Sequence, residues 1–388
     1  MTTKQLDAEY LAHTYARFPV EIVSGRGSIL TDETGKEYID LGTGIAVNIF
    51  GMHDAAWIEA VTAQLDKFQH TSNLYYTAPC AQLAQMLCEK TGMKRVFFSN
   101  SGAEANECAI KAARQYAAEK HGDDCYTIIT LKNSFHGRTI TTLAATGQDH
   151  YHEQFQPLTP GFVYAEANNL ASVEALMDTH KIAAVMFEAI QGEGGVVALD
   201  REFLRALAGL AAERDILLIA DEVQAGNGRS GELYAYMHAG IKPDIVSTAK
   251  GIGGGLPLGV TMFGEKTQDV YQPGMHGSTF GGNPVCCAGA ISILSRLDDA
   301  MLAGVRAREQ RIRAALTGAP GVEAVTGLGL MLGVKTAKPA KEVVNRCMEK
   351  GVLVLTAKDR VRLLPALNIP MDVLDKAISI LREACEIK

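Results

Sequence analysis

The chain has 388 residues, 47% hydrophobic and 21% charged, which indicates a folded globular protein and excludes a disordered one. Its net charge is -7 and it has no basic cluster, which argues against a nucleic-acid partner. No apolar run reaches the length of a membrane span, no signal peptide is visible, and the 8 cysteines form no CxxC pair, so we expect a cytoplasmic protein with reduced thiols.

In chain order, the predicted elements begin with a β-meander over residues 22–41, where the turn clusters SGRGS and ETGKE separate strand-like runs. Two helices follow, WIEAVTAQLDKF and APCAQLAQMLCEKTG. A strand, a turn of small residues and a long alanine-rich helix occupy KRVFFSNSGAEANECAIKAARQYAAEK. Beyond it, helical stretches such as REFLRALAGLAAERD alternate with five strands: YTIITL, AAVMFEAI, ILLIADEV, DIVSTA and LGVTMFG.

This alternation predicts an α/β fold with a parallel or mixed sheet covered by helices. We predict a large domain over residues 51–285 that carries the sheet. A long linking helix over about 284–318 is expected to lead into a small α+β domain over 286–388. Residues 1–50 are predicted to join that small domain.

Two residues with distinctive chemistry follow buried strands. Asp221 ends the run ILLIAD, and Lys250 follows DIVSTA and precedes a glycine-rich turn. Ligands bind beyond the carboxyl ends of strands in open α/β sheets, so both side chains are expected at one site. An acid that keeps a ring nitrogen protonated and an amine that forms an imine are the groups that a pyridoxal-phosphate enzyme must supply. Val223 is placed to pack on the ring, and Gln224 to bond its phenolic oxygen.

Two polar turns are candidates for binding an anion. Ser101, Gly102 and Ala103 precede the alanine-rich helix, whose first N–H groups can bind a phosphate; an ordinary capped helix is the alternative. The segment lacks the GK[ST] of a Walker A loop. Ser278 and Thr279 in HGSTFGGNP offer hydroxyl groups to a phosphate or a carboxylate, with a plain turn as the alternative.

Aromatic and charged side chains near other strand ends suggest how the site could bind its ligands. Phe135 can stack on a flat cofactor ring, and Arg138 suits a carboxylate. Glu188 ends a buried strand and Glu193 lies in a glycine-flanked loop, while Arg362 on a later strand would suit a dicarboxylate. Core packing, surface ion pairs and solvated acids are the alternatives for these residues taken singly.

Six motifs in this order resemble class III (omega) aminotransferases of the pyridoxal-phosphate fold type I group. The motifs are SGAEAN, FHGRT, EAIQGEGG, DEVQAGNGRSG, STAKGIGGGLPLG and STFGGNP. The resemblance covers nearly the whole chain, and GIAVN followed by HTSNLYY is most similar to the members that use acyl-ornithines. It implies an α/β fold with a mostly parallel seven-stranded sheet in the large domain and a smaller α+β domain.

The resemblance also implies how the cofactor is bound, with no metal. Pyridoxal 5'-phosphate would form a covalent internal aldimine with Lys250, and Asp221 would bind its ring nitrogen. Gly102 and Ala103 would bind the phosphate through backbone N–H groups. Thr279 would reach that phosphate from the partner subunit, so the active unit would be a homodimer with shared active sites.

For the substrates, the resemblance implies that Arg138 and Ser278 contact the substrate and that Arg362 binds the α-carboxylate of glutamate. Glu193 would pair with Arg362 while a δ-amine reacts. The implied ping-pong reaction moves the δ-amino group of N2-acetyl-L-ornithine to 2-oxoglutarate, giving N-acetyl-L-glutamate 5-semialdehyde and glutamate, a step of arginine biosynthesis.

Several alternatives remain at this point. Succinylornithine, ornithine, acetyllysine, succinyldiaminopimelate and 4-aminobutyrate are alternative donors within the class, and a glutamate-semialdehyde aminomutase is a related possibility. A catalytically idle cofactor-binding protein is disfavoured because Asp221 and Lys250 are both present. A nucleotide-binding module is disfavoured because the glycines follow Lys250 and do not precede it.

Overall fold

A computed structural model describes residues 1–386 of the chain. The helices are α1 (Thr3–Tyr10), α2 (Thr43–Ala46), α3 (Ala55–Leu65), α4 (Ala78–Thr91), α5 (Gly102–His121), α6 (Ile140–Ala145), α7 (Leu170–Thr179), α8 (Arg201–Glu213), α9 (Pro284–Ser295), α10 (Asp299–Leu316), α11 (Ala340–Glu349) and α12 (Met371–Cys385). The strands are β1 (Ile22–Arg26), β2 (Ile29–Asp32), β3 (Glu37–Asp40), β4 (Arg95–Ser99), β5 (Thr127–Leu131), β6 (Phe162–Ala165), β7 (Ile182–Phe187), β8 (Ile190–Gln191), β9 (Val197–Ala198), β10 (Leu217–Asp221), β11 (Ile245–Thr248), β12 (Gly259–Phe263), β13 (Val322–Leu328), β14 (Met331–Thr336), β15 (Val352–Leu353), β16 (Leu355–Ala357) and β17 (Arg360–Leu363).

The central sheet has the strand order β4-β12-β11-β10-β7-β5-β6 within the described residues. Strand β12 runs antiparallel to β4 and β11, whereas the pairings among β11, β10, β7, β5 and β6 are parallel. The predicted α/β fold with a mostly parallel sheet is therefore confirmed. Strand β6 was not predicted, because it is a short edge strand with little alternation in its burial.

Burial on both faces explains why the central strands are apolar runs. Every residue of β7 and β10 is buried, and α5 packs against β7, β10, β11 and β12. In the parallel pair β10–β11, Asp221 lies opposite Ser247, and Lys250 follows two residues after the end of β11. The carboxyl ends of the two strands thus place both residues at the same edge of the sheet, as the sequence predicts.

The described part of the chain also forms two four-stranded sheets, and the first of them joins the two end regions of the chain. One has the order β1-β2-β3-β15, so the amino-terminal meander pairs with a strand from the carboxyl-terminal region, Val352 lying opposite Ile39. The other has the order β13-β14-β17-β16 and carries Arg362. This pairing is consistent with grouping residues 1–50 with the small domain, while the predicted domain limits stay predictions.

The single linking helix predicted over 284–318 is wrong, because two helices, α9 and α10, occupy this segment. Asp298 has an extended backbone, with φ -103° and ψ 175°, and its side chain accepts a hydrogen bond from the Met301 N–H. An aspartate that caps the first turn of a helix marks a new start. Within residues 1–386, no helix is both long enough and apolar enough to cross a membrane.

Candidate active site

A cleft of about 620 Å³ opens beyond the carboxyl ends of β10 and β11. Most of the residues predicted to bind a cofactor or substrate line it. They are Ser101, Gly102, Ala103, Phe135, Arg138, Asp221, Val223, Gln224 and Lys250; Glu188, noted in the sequence only as an acid near a strand end, lines the cleft as well. The folding of the chain therefore brings residues from five separate motifs to one place.

Asp221 is held by a network of hydrogen bonds at the bottom of the cleft. Its Oδ2 accepts a hydrogen bond from Asn106 Nδ2 at 2.8 Å and lies 2.7 Å from His136 Nδ1, while Oδ1 accepts from the Val223 N–H. Ser247 Oγ donates to Asn106 Oδ1 and orients that amide. These contacts fix the orientation of the Asp221 carboxyl group, which is only 3% exposed. His136 and Asn106 were not predicted to support Asp221, and no signal in the sequence links them to it.

Lys250 combines an unusual backbone with a perturbed amine. Its φ of 51° lies in the left-handed region, which a lysine adopts at an energetic cost, as is common at functional sites. Burial lowers the pKa of its amine below the ordinary value; the Glu193 charge opposes this shift and the Arg362 charge adds to it. A lowered pKa raises the fraction of neutral amine, the form that acts as a nucleophile.

The start of α5 forms a close-packed cradle of backbone N–H groups. Ser101 caps the helix, its Oγ accepting from the Glu104 N–H at 3.2 Å. Gly102 lies so close to Val223 that an added Cβ would come within 2.5 Å of Val223 Cγ1. Only glycine permits this approach, which brings the helix N-terminus to the wall of the cleft, where it can bind an anion.

Glu188 connects two loops of the site. Its Oε1 accepts from the Phe135 N–H at 2.8 Å, and its Oε2 accepts from the Gly192 N–H at 3.4 Å. Burial and then the Asp221 charge raise the pKa of this carboxyl well above its ordinary value. The loop that carries Phe135 and the loop that carries Glu193 are thus positioned by one side chain.

Glu193 and Arg362 lie side by side next to the cleft. Arg362 Nη1 donates to Glu193 Oε1 at 2.5 Å and to Gln224 Oε1 at 3.1 Å. Gln224 Nε2 also donates to Glu193 Oε1, at 3.4 Å. Burial would raise the pKa of Glu193, but the neighbouring Arg362 outweighs it and lowers that pKa. The arginine therefore has a carboxylate partner from within the chain.

Ser278 and Thr279 lie outside the lining of this cleft. Ser278 Oγ accepts from Asn100 Nδ2 at 3.2 Å, and Asn100 does line the cleft. Thr279 is exposed to solvent. Tyr15, which the sequence analysis did not assign to the site, lines the cleft although it is 75% exposed. No signal in the sequence marked this position, because an aromatic residue in a polar segment is no sign of a site.

A family model described as aminotransferase class-III matches residues 10–385. The chain belongs to this family. The acetylornithine aminotransferase of Haemophilus ducreyi is 48% identical over 382 residues, covering 98% of this chain and 97% of the relative. The acetylornithine aminotransferase of Aquifex aeolicus is 44% identical, covering 96% of this chain and 99% of the relative.

Solved structures of aminotransferases share the fold of this class-III chain. The ornithine aminotransferase of Toxoplasma gondii ME49 superimposes with a TM-score of 0.94 at 31% identity, covering 98% of this chain and 94% of the other. The N-acetylornithine aminotransferase of Stenotrophomonas maltophilia K279a gives 0.84 at 35% identity, covering 96% and 97%. The predicted family, fold type and enzyme class are confirmed.

The protein is thus a class-III aminotransferase, and the family implies pyridoxal phosphate as its cofactor. The residues that line the cleft suit the binding of pyridoxal phosphate. The cleft offers a lysine for covalent attachment, a buried acid for a ring nitrogen and a helix N-terminus for a phosphate. In addition, His136 Nε2 is buried without a hydrogen-bond partner among the described residues.

Proposed function

We propose that this aminotransferase moves the δ-amino group of N2-acetyl-L-ornithine to 2-oxoglutarate. The observation that carries the proposal is the unequal state of two arginines. Arg138 lines the cleft and is exposed, whereas Arg362 is buried and paired with Glu193. The relatives named acetylornithine aminotransferase, at 48% and 44% identity, support the choice of donor.

The two arginines explain how one site accepts two different amino donors. With a donor whose reacting δ-amine has no carboxylate beside it, Glu193 stays on Arg362 and neutralises it. With glutamate, the α-carboxylate takes the place of Glu193 on Arg362, because a buried guanidinium is costly without an anionic partner. Arg138 would bind the carboxylate remote from the reacting amine in both cases, and Ser278, which is hydrogen-bonded to the cleft-lining Asn100, would touch the substrate as well.

The cofactor would be attached covalently to Lys250. When bound, pyridoxal phosphate supplies an electron sink for the carbon next to the reacting nitrogen. Asp221, held in place by its contacts with Asn106 and His136, would pair with the ring nitrogen and keep it protonated. Val223 and Phe135 would lie on the two faces of the ring, and Gln224 near its phenolic oxygen.

Proton transfer and phosphate binding fall to other groups of the site. The Lys250 amine, whose pKa is lowered by burial, would move a proton between the substrate carbon that bears the reacting nitrogen and the cofactor carbon joined to that same nitrogen. The backbone N–H groups of Gly102 and Ala103, at the capped start of α5, would bind the phosphate together with Ser101.

A homodimer would complete the site, with Thr279 of one subunit reaching the phosphate in the other. Leu74, Tyr75 and Tyr76 are exposed on one loop, and Phe280 on another. Asn73 joins the two loops by donating to the carbonyls of Ser278 and Gly281. A contiguous exposed apolar patch is typical of a protein–protein interface, and this one includes the segment of Thr279.

Absorbance spectroscopy of the cofactor-loaded protein tests the proposal. Titration with N-acetylornithine, without a keto acid, should convert the lysine-bound cofactor into its aminated form, and 2-oxoglutarate should reverse the change. Lys250→Ala should abolish both. Succinylornithine, ornithine and 4-aminobutyrate, titrated in parallel, rank the donors. A loaded protein that reacted with 4-aminobutyrate but not with acetylornithine would contradict the choice of donor.

A further inference from the structure

We propose that Tyr151 is a positioning residue that fixes the Arg138 guanidinium at the mouth of the cleft, and that it thereby sets the preference for donors with a remote carboxylate. The inference rests on the proposed function, in which Arg138 binds that carboxylate. It adds a residue outside the motifs that the sequence analysis singled out.

Arg138 lacks the polar contacts that usually fix an arginine. Among residues 1–386, no hydrogen bond or ion pair joins its side chain, which is exposed. Its contacts are two ring faces: the guanidinium carbon lies 5.0 Å from the centroid of Tyr151 and 5.8 Å from that of Phe135. Cation–π attraction therefore holds the cation, with Tyr151 the nearer ring.

The Tyr151 ring is itself held in place. Tyr151 ends a short 3-10 turn, Asp149–Tyr151, and its N–H donates to the Gln148 carbonyl at 3.1 Å. The buried side chain of Gln148 donates to the Ser134 carbonyl at 3.0 Å, which ties this turn to the loop of Phe135 and Arg138. The rings of Phe135 and Tyr151 lie 5.6 Å apart at 59°. The hydrogen bonds of Tyr151 and Gln148 thus fix the two chain segments that carry the aromatic rings.

This arrangement suits a carboxylate receptor. A guanidinium that lies over an aromatic ring keeps its N–H groups free, and those groups form two parallel hydrogen bonds with a carboxylate. A long side chain held in advance also loses less conformational entropy when the substrate binds. Phe135 is expected to contact the cofactor as well, so Tyr151 is the part of the stack that can be altered without touching the cofactor site.

The test compares two variants and two donors. The donors are N-acetylornithine and N-acetylputrescine, which is the same molecule with the carboxylate replaced by hydrogen. Tyr151→Leu is expected to lower kcat/KM for acetylornithine about tenfold, mainly through KM, in the range of a cation–π contact, and to leave acetylputrescine unchanged. Tyr151→Phe is the matched control and should behave as the wild type, because the ring remains and its hydroxyl has no partner within the described chain.

Arg138→Gln separates failure of the inference from failure of the proposed function. It should abolish the preference for acetylornithine, and adding Tyr151→Leu to it should have no further effect. If Arg138→Gln removes the preference but Tyr151→Leu lowers kcat/KM equally for both donors, the positioning role is wrong and the proposed function stands. If Arg138→Gln leaves the preference intact, the assignment of Arg138 is wrong and the inference falls with it.

Discussion

Glu193 and Arg362 come from segments 169 residues apart and meet at 2.5 Å, with Arg362 only 4% exposed. A buried arginine that loses its carboxylate partner costs about 3–5 kcal/mol. The buried Arg362 guanidinium therefore needs an anion beside it at all times. That anion is either Glu193 or a substrate carboxylate. This relationship makes the two half-reactions separately testable.

Glu193→Gln is expected to impair the acetylornithine half-reaction and to spare the glutamate half-reaction. The amide removes the charge that neutralises Arg362 when the donor has no carboxylate to offer it. A loss of about tenfold in kcat/KM for acetylornithine corresponds to about 1.4 kcal/mol. Stopped-flow absorbance, with each donor alone, measures the two halves independently. Equal losses in both would contradict the proposed exchange of partners on Arg362.

Glu188→Gln is expected to give a milder form of the same defect. Each oxygen of Glu188 accepts one N–H group, so in the glutamine variant the side-chain NH2 must face one of these two donors. The longer contact, to the Gly192 N–H, should be the one that is lost. The loop of Glu193 then loosens while Phe135 stays in place. Glu188→Ala should release both loops and also weaken cofactor binding. Titration with the cofactor measures its affinity for the glutamine and alanine variants. Equal cofactor affinities in the two variants would show that Glu188 does not hold Phe135.

Glu222 should make stability depend on pH. It is fully buried, and burial raises the pKa of its carboxyl from 4.5 to about 8. Between these two pKa values the unfolded chain releases the proton before the folded chain does, so the free energy of unfolding falls as the pH rises from about 4.5 to about 8. Over this range the free energy of unfolding falls by roughly 1.4 kcal/mol per pH unit. Urea unfolding midpoints at several pH values measure this slope.

Glu222→Gln is the matching variant, because it cannot titrate. It loses one of the two hydrogen bonds that the carboxyl oxygens accept from the Ala235 and Tyr236 N–H groups. We expect it to be less stable than the wild type at pH 5, and the difference to shrink toward pH 8. Parallel stability curves for the two proteins would contradict the assignment.

The proposed dimer predicts that an exposed tyrosine controls both assembly and cofactor affinity. Tyr76 is 108% exposed, so Tyr76→Asp costs the isolated subunit little but places a charge in the interface. Sedimentation should show a shift from dimer to monomer, with weaker cofactor binding because Thr279 is no longer supplied by the partner. Met371→Asp, at an exposed apolar site on the first residue of α12, is the control. A dimeric Tyr76→Asp variant with full cofactor affinity would contradict this account.

Local patterns in the sequence sufficed for most of the fold. Continuous apolar runs predicted β5, β7, β10, β11 and β12, and the residues that follow β10 and β11 pointed to the edge where Asp221 and Lys250 lie. Two misses have local causes. β6 is short and weakly patterned, and the Asp298 cap, which separates α9 from α10, was overlooked inside a helical stretch.

The sequence by itself determined most of the elements, the family resemblance and the chemical groups available, because periodicity, capping and motif spacing act over a few residues. Only the tertiary structure decided which groups meet. His136 reaches Asp221 across 85 residues, and Arg138 lies against Tyr151. Such contacts depend on strand order and on how the loops pack against one another, and these follow from the burial of the whole core and not from any local pattern.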